Sequence, residues 1–458
     1  MRRLLVACLA PPFLLACGPL SPAGASGEVL RVAAFRCDVT PPLGMPIYSS
    51  YKPLAMVEHP LLAKGVVLED GPRRYVLCAV DWCEICNGTH ELFRRKIAEA
   101  AATQASHVAV QTIHQHTAPM GDADAMRLLD RIENPPPHPD PAFFDQAAER
   151  VARAVAESLG RLERFDTVGF GQAKVERVAS SRRVTGDGGR ILVRWSRCTD
   201  PALRAMPEGK IDPWLKTVTL ARGEEPLVRL HYYATHPQSF YGDPRASYDF
   251  PGIARERLEA EEKVFQVYFN GCGGDITAGK YNDGSREART GLAARLLEGM
   301  KAAIAATRFQ PAGAVTWRTT PLRLVPRADA GYAEADYRAR MLNEGASPSV
   351  RIYRGAMPRA LLSRRETPIE ISSLALGDVC LLHLPGECMI DFQLFAQGLL
   401  PSRFVAVAAY GDCGCGYICT EKAFDEGGYE PTDSFVVPES EAALKAAIRD
   451  VLGVKDGD

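Results

Sequence analysis

Strand-like apolar runs recur along this 458-residue chain, and several of them end in a polar residue followed by proline or glycine. Short runs rich in β-branched residues are typical of buried strands, which proline and glycine terminate. Segments with helical periodicity separate many of these runs, and neither an internal repeat nor a flexible linker is visible in the sequence. The alternation predicts an α/β fold, with a single large domain of mixed β-sheets flanked by helices.

The overall composition is that of a globular protein. Hydrophobic residues make up 46% of the chain and charged residues 24%, which is close to the average for soluble domains. The net charge is −2, and no long basic or acidic run is present. Nucleic acid is therefore not an expected partner.

The N-terminus is organised like an export leader. Two arginines precede an apolar run at positions 4–16 that is too short to span a bilayer. Leu14-Leu15-Ala16-Cys17 is typical of a bacterial lipobox, which would place a lipid on Cys17; cleavage after Ala25 is the alternative. We therefore predict a leader at residues 1–25 and an exported chain. It would be a periplasmic or cell-surface lipoprotein tethered to the membrane through Cys17, or otherwise a secreted protein.

Thirteen cysteines are many for a cytosolic enzyme. Two lie in the leader, so an odd number remains and at least one thiol is free or pairs between chains. Cys83 and Cys86 are closely spaced, as are Cys413, Cys415 and Cys419. These groups favour disulfides or buried thiols over a cysteine-rich zinc site, which would need two well-spaced CxxC pairs.

A segment from His107 to Asp122 begins as a strand-like run and carries two histidines, His114 and His116. Alternate side chains of a strand share a face, so the two imidazoles are expected to point the same way, with Gln115 opposite. Two imidazoles at the end of a strand indicate a metal ligand beside a proton-transfer group.

Polar residues also follow other predicted strands, among them Asp38, Asp81, His236, Asn270 and Glu387. Functional groups of α/β folds collect at such strand ends. Two histidines and a carboxylate would suit a catalytic zinc, which keeps one position open for water. The spacing of these residues matches no local metal-binding motif, so the spacing alone does not decide whether the chain binds a metal. Asp38 and Asp81 are expected either to orient site groups or to cap their strands.

Two further expectations concern structure alone. His231 and His383 lie inside strand-like runs and are expected to be packed in the core. Residues 320–368 are polar without clear periodicity, which predicts irregular structure.

Six short segments occur in the order in which a known family has similar ones: Thr112–Pro119, Ala234–Ser239, Gly273–Thr277, Pro385–Glu387, Tyr417–Thr420 and Tyr429–Glu430. Through them the chain resembles the neutral/alkaline non-lysosomal ceramidases. The resemblance implies that residues 28–458 form the N-terminal catalytic domain of that family, and that its C-terminal immunoglobulin-like domain is missing. It also implies a metal centre in which His114, His236, Glu387 and Tyr417 hold Zn²⁺ and water completes the site.

The resemblance further assigns catalytic roles. His116 would move a proton to the leaving amine. Tyr429 and an arginine, either Arg182 or Arg183, would stabilise the oxyanion. Thr277 stands where the family has a serine; it keeps the hydroxyl and adds a methyl group.

The implied function is zinc-dependent hydrolysis of the amide bond of a small-molecule N-acyl lipid of the ceramide type. Gln115, Ala118 and Thr277 depart from the family pattern, so two alternatives stay open. One is a zinc hydrolase of the same fold acting on another amide or ester, such as a carbohydrate derivative. The other is a non-catalytic exported binding protein, against which the retention of so many dispersed polar groups argues.

Overall fold

The computed structural model of the protein describes residues 29–48 and 50–455. The predicted leader and the lipid attachment at Cys17 lie outside these ranges. Within them, every helix is too short or too polar to cross a membrane.

Three mixed β-sheets form the frame. The first sheet contains, in spatial order, Glu163–Arg164, Leu30–Asp38, Leu62–Asp70, Arg73–Val80 and Val108–Thr112. The second contains Phe265–Asn270, Glu225–Tyr233, Trp214–Arg222, Thr167–Lys174 and Arg308–Pro311. The third contains Thr316–Leu322, Ile369–Leu376, Val379–His383 and Phe404–Ala408.

Each sheet is antiparallel except for one parallel pair of strands at its edge. Parallel neighbours need a crossover connection, and here a helix supplies it in every case. The three helices are Asn87–Ala101, Asp249–Glu262 and Ile390–Leu399. The fold therefore contains three βαβ units, and the carboxyl ends of each parallel pair lie at one edge, where polar groups can collect.

The three edges meet at a single junction. At the end of the first sheet, the Thr112 N–H donates to the carbonyl of Tyr410, which follows the third sheet (2.9 Å). The Ala409 N–H in turn donates to the carbonyl of Asn270 at the end of the second sheet (2.9 Å). These bonds bring the residues that follow all three parallel pairs to one place.

The first sheet is covered on both faces. In its strand Leu62–Asp70, Val66 packs in a cluster with Leu230 and Val267 of the second sheet. Its neighbour Val67 faces the other way and packs in a cluster that includes Phe93 and Phe144 of the helices. Each such fully buried side chain contributes about 1.5–3 kcal/mol, so the two apolar layers hold the sheets in a fixed relation around the junction.

The remaining elements are helices and short ladders. The further helices are Ala123–Leu129, Pro141–Ser158, Pro201–Ala205, Arg286–Ala305, Glu334–Leu342, Pro348–Arg351, Met357–Ser363, Glu421–Glu426 and Ser440–Leu452. Four of the two-stranded ladders are Pro46–Ile47 with Lys52–Pro53, Met56–Val57 with Arg245–Ala246, Ser180–Ser181 with Ile276–Thr277, and Arg183–Thr185 with Ile191–Val193. The described chain is thus a single α/β domain with mixed sheets flanked by helices, as the sequence predicts.

The prediction of irregular structure for residues 320–368 was wrong. This stretch contains the helix Glu334–Leu342 and a continuous helical run made of Pro348–Arg351, the π-helical turn Ile352–Ala356 and Met357–Ser363. The first is shorter than three turns, and the π-helical turn shifts the period of the second, so neither shows a clear apolar period in the sequence. They are helical because the buried side chains of Tyr337, Met341 and Met357 anchor them to the core.

All eleven cysteines in the described residues are free thiols, and ten of them are buried. Burial raises the pKa of Cys83 and Cys413, which keeps these thiols protonated and unreactive. The buried-thiol alternative is therefore what the structure shows. His231 and His383 are buried as expected; the His231 Nε2–H lies 2.7 Å from Gln266 Oε1.

Candidate metal centre

A cavity of about 440 Å³ opens at the junction of the three sheets, within the usual size range of small-molecule sites. The described residues that line it carry aromatic, charged or polar side chains and include no aliphatic one. They are Tyr48, Glu84, His114, His116, Arg182, Trp195, Ser196, Arg197, His236, Gln238, Tyr241, Tyr353, Glu387, Tyr417 and Tyr429.

The histidine segment reaches the cavity through a turn rather than along a strand. The strand ends at Thr112, and His114 has a left-handed backbone (φ 61°), so the expected alternation of side chains along a strand does not apply. The turn is held because the His114 N–H donates to the Trp82 carbonyl (3.1 Å) and Gln115 Nε2 donates to the Asp81 carbonyl (2.8 Å). A non-glycine residue in this conformation costs of order 1–3 kcal/mol and is typical of functional sites.

His114 is oriented on two sides. Its Nδ1 lies 3.0 Å from the Cys83 carbonyl, which accepts a hydrogen bond from the Nδ1–H and so leaves the lone pair on Nε2. The Tyr410 ring stacks on the imidazole with centroids 4.2 Å apart, and Tyr410 also has a left-handed backbone (φ 63°). Nε2 then faces Glu387 Oε2 at 3.0 Å.

His236 follows the second sheet and is oriented in the same way. Its Nδ1 lies 3.2 Å from the Gly273 carbonyl, which directs Nε2 towards the other histidines. Gly273 must be a glycine, because a Cβ there would lie 2.2 Å from the Thr235 carbonyl oxygen.

His116 differs from these two histidines in its hydrogen bonds. Gln238 Nε2 lies 3.2 Å from His116 Nδ1, which orients the ring with Nε2 towards the other two histidines. That atom lies 3.3 Å from His114 Nε2 and 2.9 Å from His236 Nε2. Burial first, and then the neighbouring His114 and Arg182, lower the pKa of His116 well below its usual value, so the ring is neutral. The pKa of His236 is lowered by burial and by Arg182 as well.

Glu387 and Tyr417 enter from the third sheet. They are opposite each other in a short parallel ladder formed by Glu387–Cys388 and Tyr417–Ile418. Among the described residues, no hydrogen-bond donor reaches Glu387 Oε2, which is buried. Burial is the main cause that raises the pKa of Tyr417, and the charge of Arg182 offsets it only in part.

These groups fit a metal ion. Donor atoms of His114, His236 and Glu387 all lie within 4.8 Å of one another. Two imidazole nitrogens and an undonated carboxylate oxygen that face one another can hold a cation between them, and nitrogen and oxygen donors of this kind suit zinc. A second grouping would place Cys83 with His114 and His116, but Cys83 Sγ faces His114 Nδ1 (3.9 Å), the nitrogen that already binds the Cys83 carbonyl.

Arg182 supplies a fixed positive charge beside this cluster. Its Nη1 donates to the Tyr417 hydroxyl (3.0 Å), and Nη2 lies 3.0 Å from His236 Nδ1 and 3.4 Å from His236 Nε2. Its guanidinium also lies 5.3 Å from the Tyr429 ring centroid and 3.5 Å from Glu430 Oε1. Burial alone would lower the pKa of Arg182, but Tyr417 and Glu430 outweigh it, and the net direction is upwards. The side chain therefore stays charged.

The structure separates the two candidate arginines and places Arg183 outside the cavity. Arg183 binds Glu426 Oε2 at 3.0 Å, Glu430 Oε2 at 2.9 Å and the Gly427 carbonyl at 2.8 Å. Adjacent residues in extended backbone point to opposite sides, so only Arg182 faces the site. Glu430 bridges the two arginines.

Thr277 is also not on the cavity wall, which corrects its expected place there. Its hydroxyl donates to Ser196 Oγ (3.2 Å) and accepts from the Gly279 N–H (3.1 Å). Both hydrogen bonds of the hydroxyl are thus made within the protein. Thr277 contacts Ser196, which lines the cavity, but does not line it itself.

The two aspartates at strand ends have different surroundings. Asp81 forms a fully buried pair with Arg255, and its carbonyl holds Gln115, so it supports the histidine segment from behind. Asp38 accepts from the Thr40 N–H (2.7 Å) at an exposed strand end, which is a capping role.

Several residues on the wall were not anticipated from the sequence. Glu84 lies four residues after the end of the strand Arg73–Val80, and this position was the only feature of the sequence that indicated it. Tyr353 comes from the π-helical turn, whose burial the sequence did not reveal. Trp195 and Tyr241 are exposed (52% and 59%) and stand at the mouth, and Gln238 follows His236 by two residues.

No protein-family model matches the sequence, and no curated protein matches it. Among the solved structures that match, two align over almost the whole chain. The neutral ceramidase from Pseudomonas aeruginosa aligns with a TM-score of 0.68 and 16% identity, over 93% of this chain and 75% of that one. This chain has a neutral-ceramidase-like fold. A ceramidase complexed with C2 aligns with a TM-score of 0.64 and 17% identity, over 94% of this chain and 76% of that one. The neutral-ceramidase-like fold is the one that the six sequence segments imply.

Proposed function

We propose that this protein is a zinc-dependent hydrolase that cleaves the amide bond of an N-acyl compound with metal-activated water. The observation that carries the proposal is the convergence of His114 Nε2, His236 Nε2 and an undonated oxygen of Glu387 in one cavity. His114, His236 and Glu387 would hold the metal, and Tyr417 beside them would be the fourth ligand. When bound, Zn²⁺ supplies a Lewis acid that polarises the scissile carbonyl and lowers the pKa of water.

His116 is the proton carrier in this proposal. Gln238 lies beside His116 Nδ1 and orients the ring so that Nε2 faces the other two histidines. The neutral ring takes a proton from the attacking water and then hands it to the leaving amine nitrogen, so it is neutral before and after a cycle. General acid–base transfer of this kind contributes about 10²–10⁴-fold to the rate.

Arg182 and Tyr429 would stabilise the negative charge that develops on the carbonyl oxygen. Arg182 is buried, permanently charged and held by Glu430 and Tyr417, so its position is set before substrate arrives. Donors fixed in this way are worth roughly 3–4 kcal/mol in the transition state.

Two substrate classes remain for this activity. An N-acyl lipid of the ceramide type is supported by the fold, because the matching solved structures are ceramidases. An amide derived from a carbohydrate is supported by the cavity wall, whose described residues are aromatic or polar.

Metal analysis tests the proposal first. Purified protein is expected to contain about one zinc per chain, and His114→Ala is expected to lose it. His138→Ala is the matched control, because His138 pairs with Asp130 (3.0 Å) away from the cavity and its removal is expected to leave the zinc in place. A wild-type protein without bound metal would contradict the proposal.

Turnover is tested with a panel of N-acyl sphingoid bases and N-acylated amino sugars, with released carboxylic acid as the readout. Release from at least one amide is expected, and its loss in His116→Ala should occur without loss of zinc. A zinc-loaded protein that releases acid from none of them would leave only the binding-protein alternative.

We also propose that the chain is exported and carries a lipid on Cys17. The expected result is a mature N-terminal peptide that begins at acylated Cys17 in mass spectrometry, and a Cys17→Ser variant released from membranes. An N-terminus at Ser26 would instead show ordinary cleavage after Ala25.

A further inference from the structure

Arg197 is a charged side chain of the cavity wall that the proposed mechanism does not use. It lies on the same run of the wall as Trp195 and is exposed at the mouth. Among the described residues, no carboxylate lies within 4.0 Å of its guanidinium, and none accepts a hydrogen bond from it. Arg182, the other arginine of the wall, is by contrast paired with Glu430 and bonded to Tyr417. Of the two, only Arg197 presents a charge without a partner in the described chain.

The backbone on both sides of Arg197 is held by Asn282, which is fully buried. Asn282 Nδ2 donates to the Ser196 carbonyl (2.7 Å), and the Cys198 N–H donates to the Asn282 carbonyl (2.9 Å). The stem of the arginine side chain packs on Gly284, where a Cβ would lie 2.7 Å from Arg197 Cδ. The guanidinium is thus presented to the cavity from a fixed base, so a ligand that binds it requires little ordering of the protein.

The two carboxylates among the described wall residues are engaged elsewhere. Glu387 faces His114 Nε2 at 3.0 Å, and Glu84 shares a hydrogen bond with Glu387. Arg197 therefore adds a positive charge to the mouth of the cavity that neither of them balances. A ligand with a negative charge is attracted by this charge, whereas a neutral ligand is not and a cationic one is repelled.

The chemistry of the mouth favours a carboxylate as the anionic group. A guanidinium is a planar fork of N–H donors that matches the two oxygens of a carboxylate. One fork balances one carboxylate, whereas a dianionic phosphate would need further donors. The rings of Trp195 and Tyr241 stand at the same mouth and offer apolar surface to the carbon skeleton next to the carboxylate.

We propose that Arg197 binds a carboxylate on the substrate, and that the site thereby selects acidic N-acyl compounds over neutral ones. This inference rests on the amide hydrolysis proposed above and narrows its substrate class. Two sources carry the chemistry: an N-acyl amino acid with a lipid chain, and an N-acylated acidic amino sugar. Ceramides and neutral amino sugars carry hydroxyl groups but no carboxylate, so they lack the group that Arg197 binds.

Two pairs of amides test the role of Arg197, and the members of each pair differ in a carboxylate. N-dodecanoylglycine is compared with N-dodecanoylethanolamine, and N-acetylmuramic acid with N-acetylglucosamine. The readout is the ratio of kcat/KM for the acidic amide to kcat/KM for the neutral one. The wild type is expected to prefer the acidic member of at least one pair, and that pair identifies the source of the carboxylate.

Arg197→Gln is expected to lower the ratio roughly tenfold, between the effect of an exposed ion pair and that of a buried hydrogen bond to a charged group. The loss should fall mainly on KM for the acidic amide, because Arg197 binds the substrate and does not take part in the chemistry. Arg197→Lys keeps the charge without the fork, so its ratio should lie between those of Arg197→Gln and the wild type.

Arg190→Gln is the matched control for this ratio. Arg190 is an exposed arginine of the same region that does not line the cavity, and its variant is expected to have the ratio of the wild type. If Arg197→Gln lowers kcat/KM for both members of a pair equally, its effect is structural and the inference is overturned. A wild type that prefers the acidic member of neither pair overturns it as well.

The proposed function and this inference fail in different ways. If no amide is hydrolysed, the proposed function is wrong, and the four amides are then titrated into the protein by calorimetry. Tighter binding of an acidic amide than of its neutral counterpart, with the difference lost in Arg197→Gln, supports the inference. Equal affinity within both pairs, or binding of none of the four, overturns it.

Discussion

Replacement of Arg255 by methionine is expected to destabilise the protein by about 3–5 kcal/mol. Arg255 and Asp81 are both completely buried, and they meet through two hydrogen bonds: Nη1 to Oδ1 at 2.7 Å and Nη2 to Oδ2 at 2.9 Å. Methionine is uncharged and of similar length, so the variant leaves the Asp81 carboxylate buried with only the Leu62 N–H (3.0 Å) as a donor. The magnitude comes from that uncompensated charge rather than from lost packing.

Urea unfolding followed by tryptophan fluorescence measures this loss, because the buried Trp82 adjoins Asp81 in the chain. The shift in midpoint multiplied by the slope gives the change in free energy. For a chain of this length, the melting temperature should fall by roughly 1 °C per kcal/mol. Arg95→Met is the control, because Arg95 pairs with Glu99 on the surface, where such a pair is worth about 0.3–0.5 kcal/mol.

The double variant Asp81→Asn/Arg255→Met separates charge from shape. It is expected to regain most of the lost stability, because no buried charge is left unpaired. A single variant that loses less than about 1 kcal/mol, or a double variant no more stable than the single one, would refute the reasoning. The pair also supports the site, since the Asp81 carbonyl holds Gln115, and zinc retention during dialysis should fall in the single variant.

Three further changes test other parts of the structure. Gln238→Leu should lower kcat by up to about tenfold, because it removes the contact that orients the His116 ring; zinc content should not change, and an unaltered kcat would contradict the assignment. Tyr410→Phe should leave stability unchanged or raise it by about 1 kcal/mol, because the buried hydroxyl lacks a partner among the described residues; a loss of similar size in urea unfolding would show that the hydroxyl is bound. Burial raises the pKa of Asp122 from 3.8 to about 7, so the folded state binds more protons between these values and stability falls as the pH rises through them. Asp122→Asn should remove up to about 4 kcal/mol of this dependence, and equal slopes of stability against pH for variant and wild type would exclude it.

The sequence predicted the frame of the fold well, because its central strands are long β-branched runs with clear ends. The sequence predicts strands at residues 61–69 and 265–269, and the structure has them at Leu62–Asp70 and Phe265–Asn270. The helices between residues 334 and 363 were missed, because the first is short and a π-helical turn interrupts the period of the second. Their helical state depends on burial against distant residues such as Phe435, which no local pattern encodes.

The sequence predicted which residues form the site but not how they are arranged in space. The segments that resemble the ceramidases contain His114, His236 and Glu387, which the structure brings together. The left-handed backbone of His114 has no sequence signature, so the strand was expected to continue through it. The choice between Arg182 and Arg183 depends on which of them reaches Tyr417 and His236, residues far away in the sequence, and could be made only once the chain is folded.

The junction of three βαβ units has a consequence for how the protein matures. Each unit contributes a different part of the centre: His114 follows the first unit, His236 lies between the first strand and the helix of the second, and Glu387 lies inside the third, with Tyr417 after it. A chain that has left the ribosome only as far as the second sheet has the imidazoles but neither Glu387 nor Tyr417, so under the proposed function metal capture would wait until the third sheet has docked. Zinc that bound only this completed junction would stabilise it, by about 4 kcal/mol at a thousand times its Kd. The zinc content per chain of a preparation would then equal the fraction of its molecules in which the junction is complete.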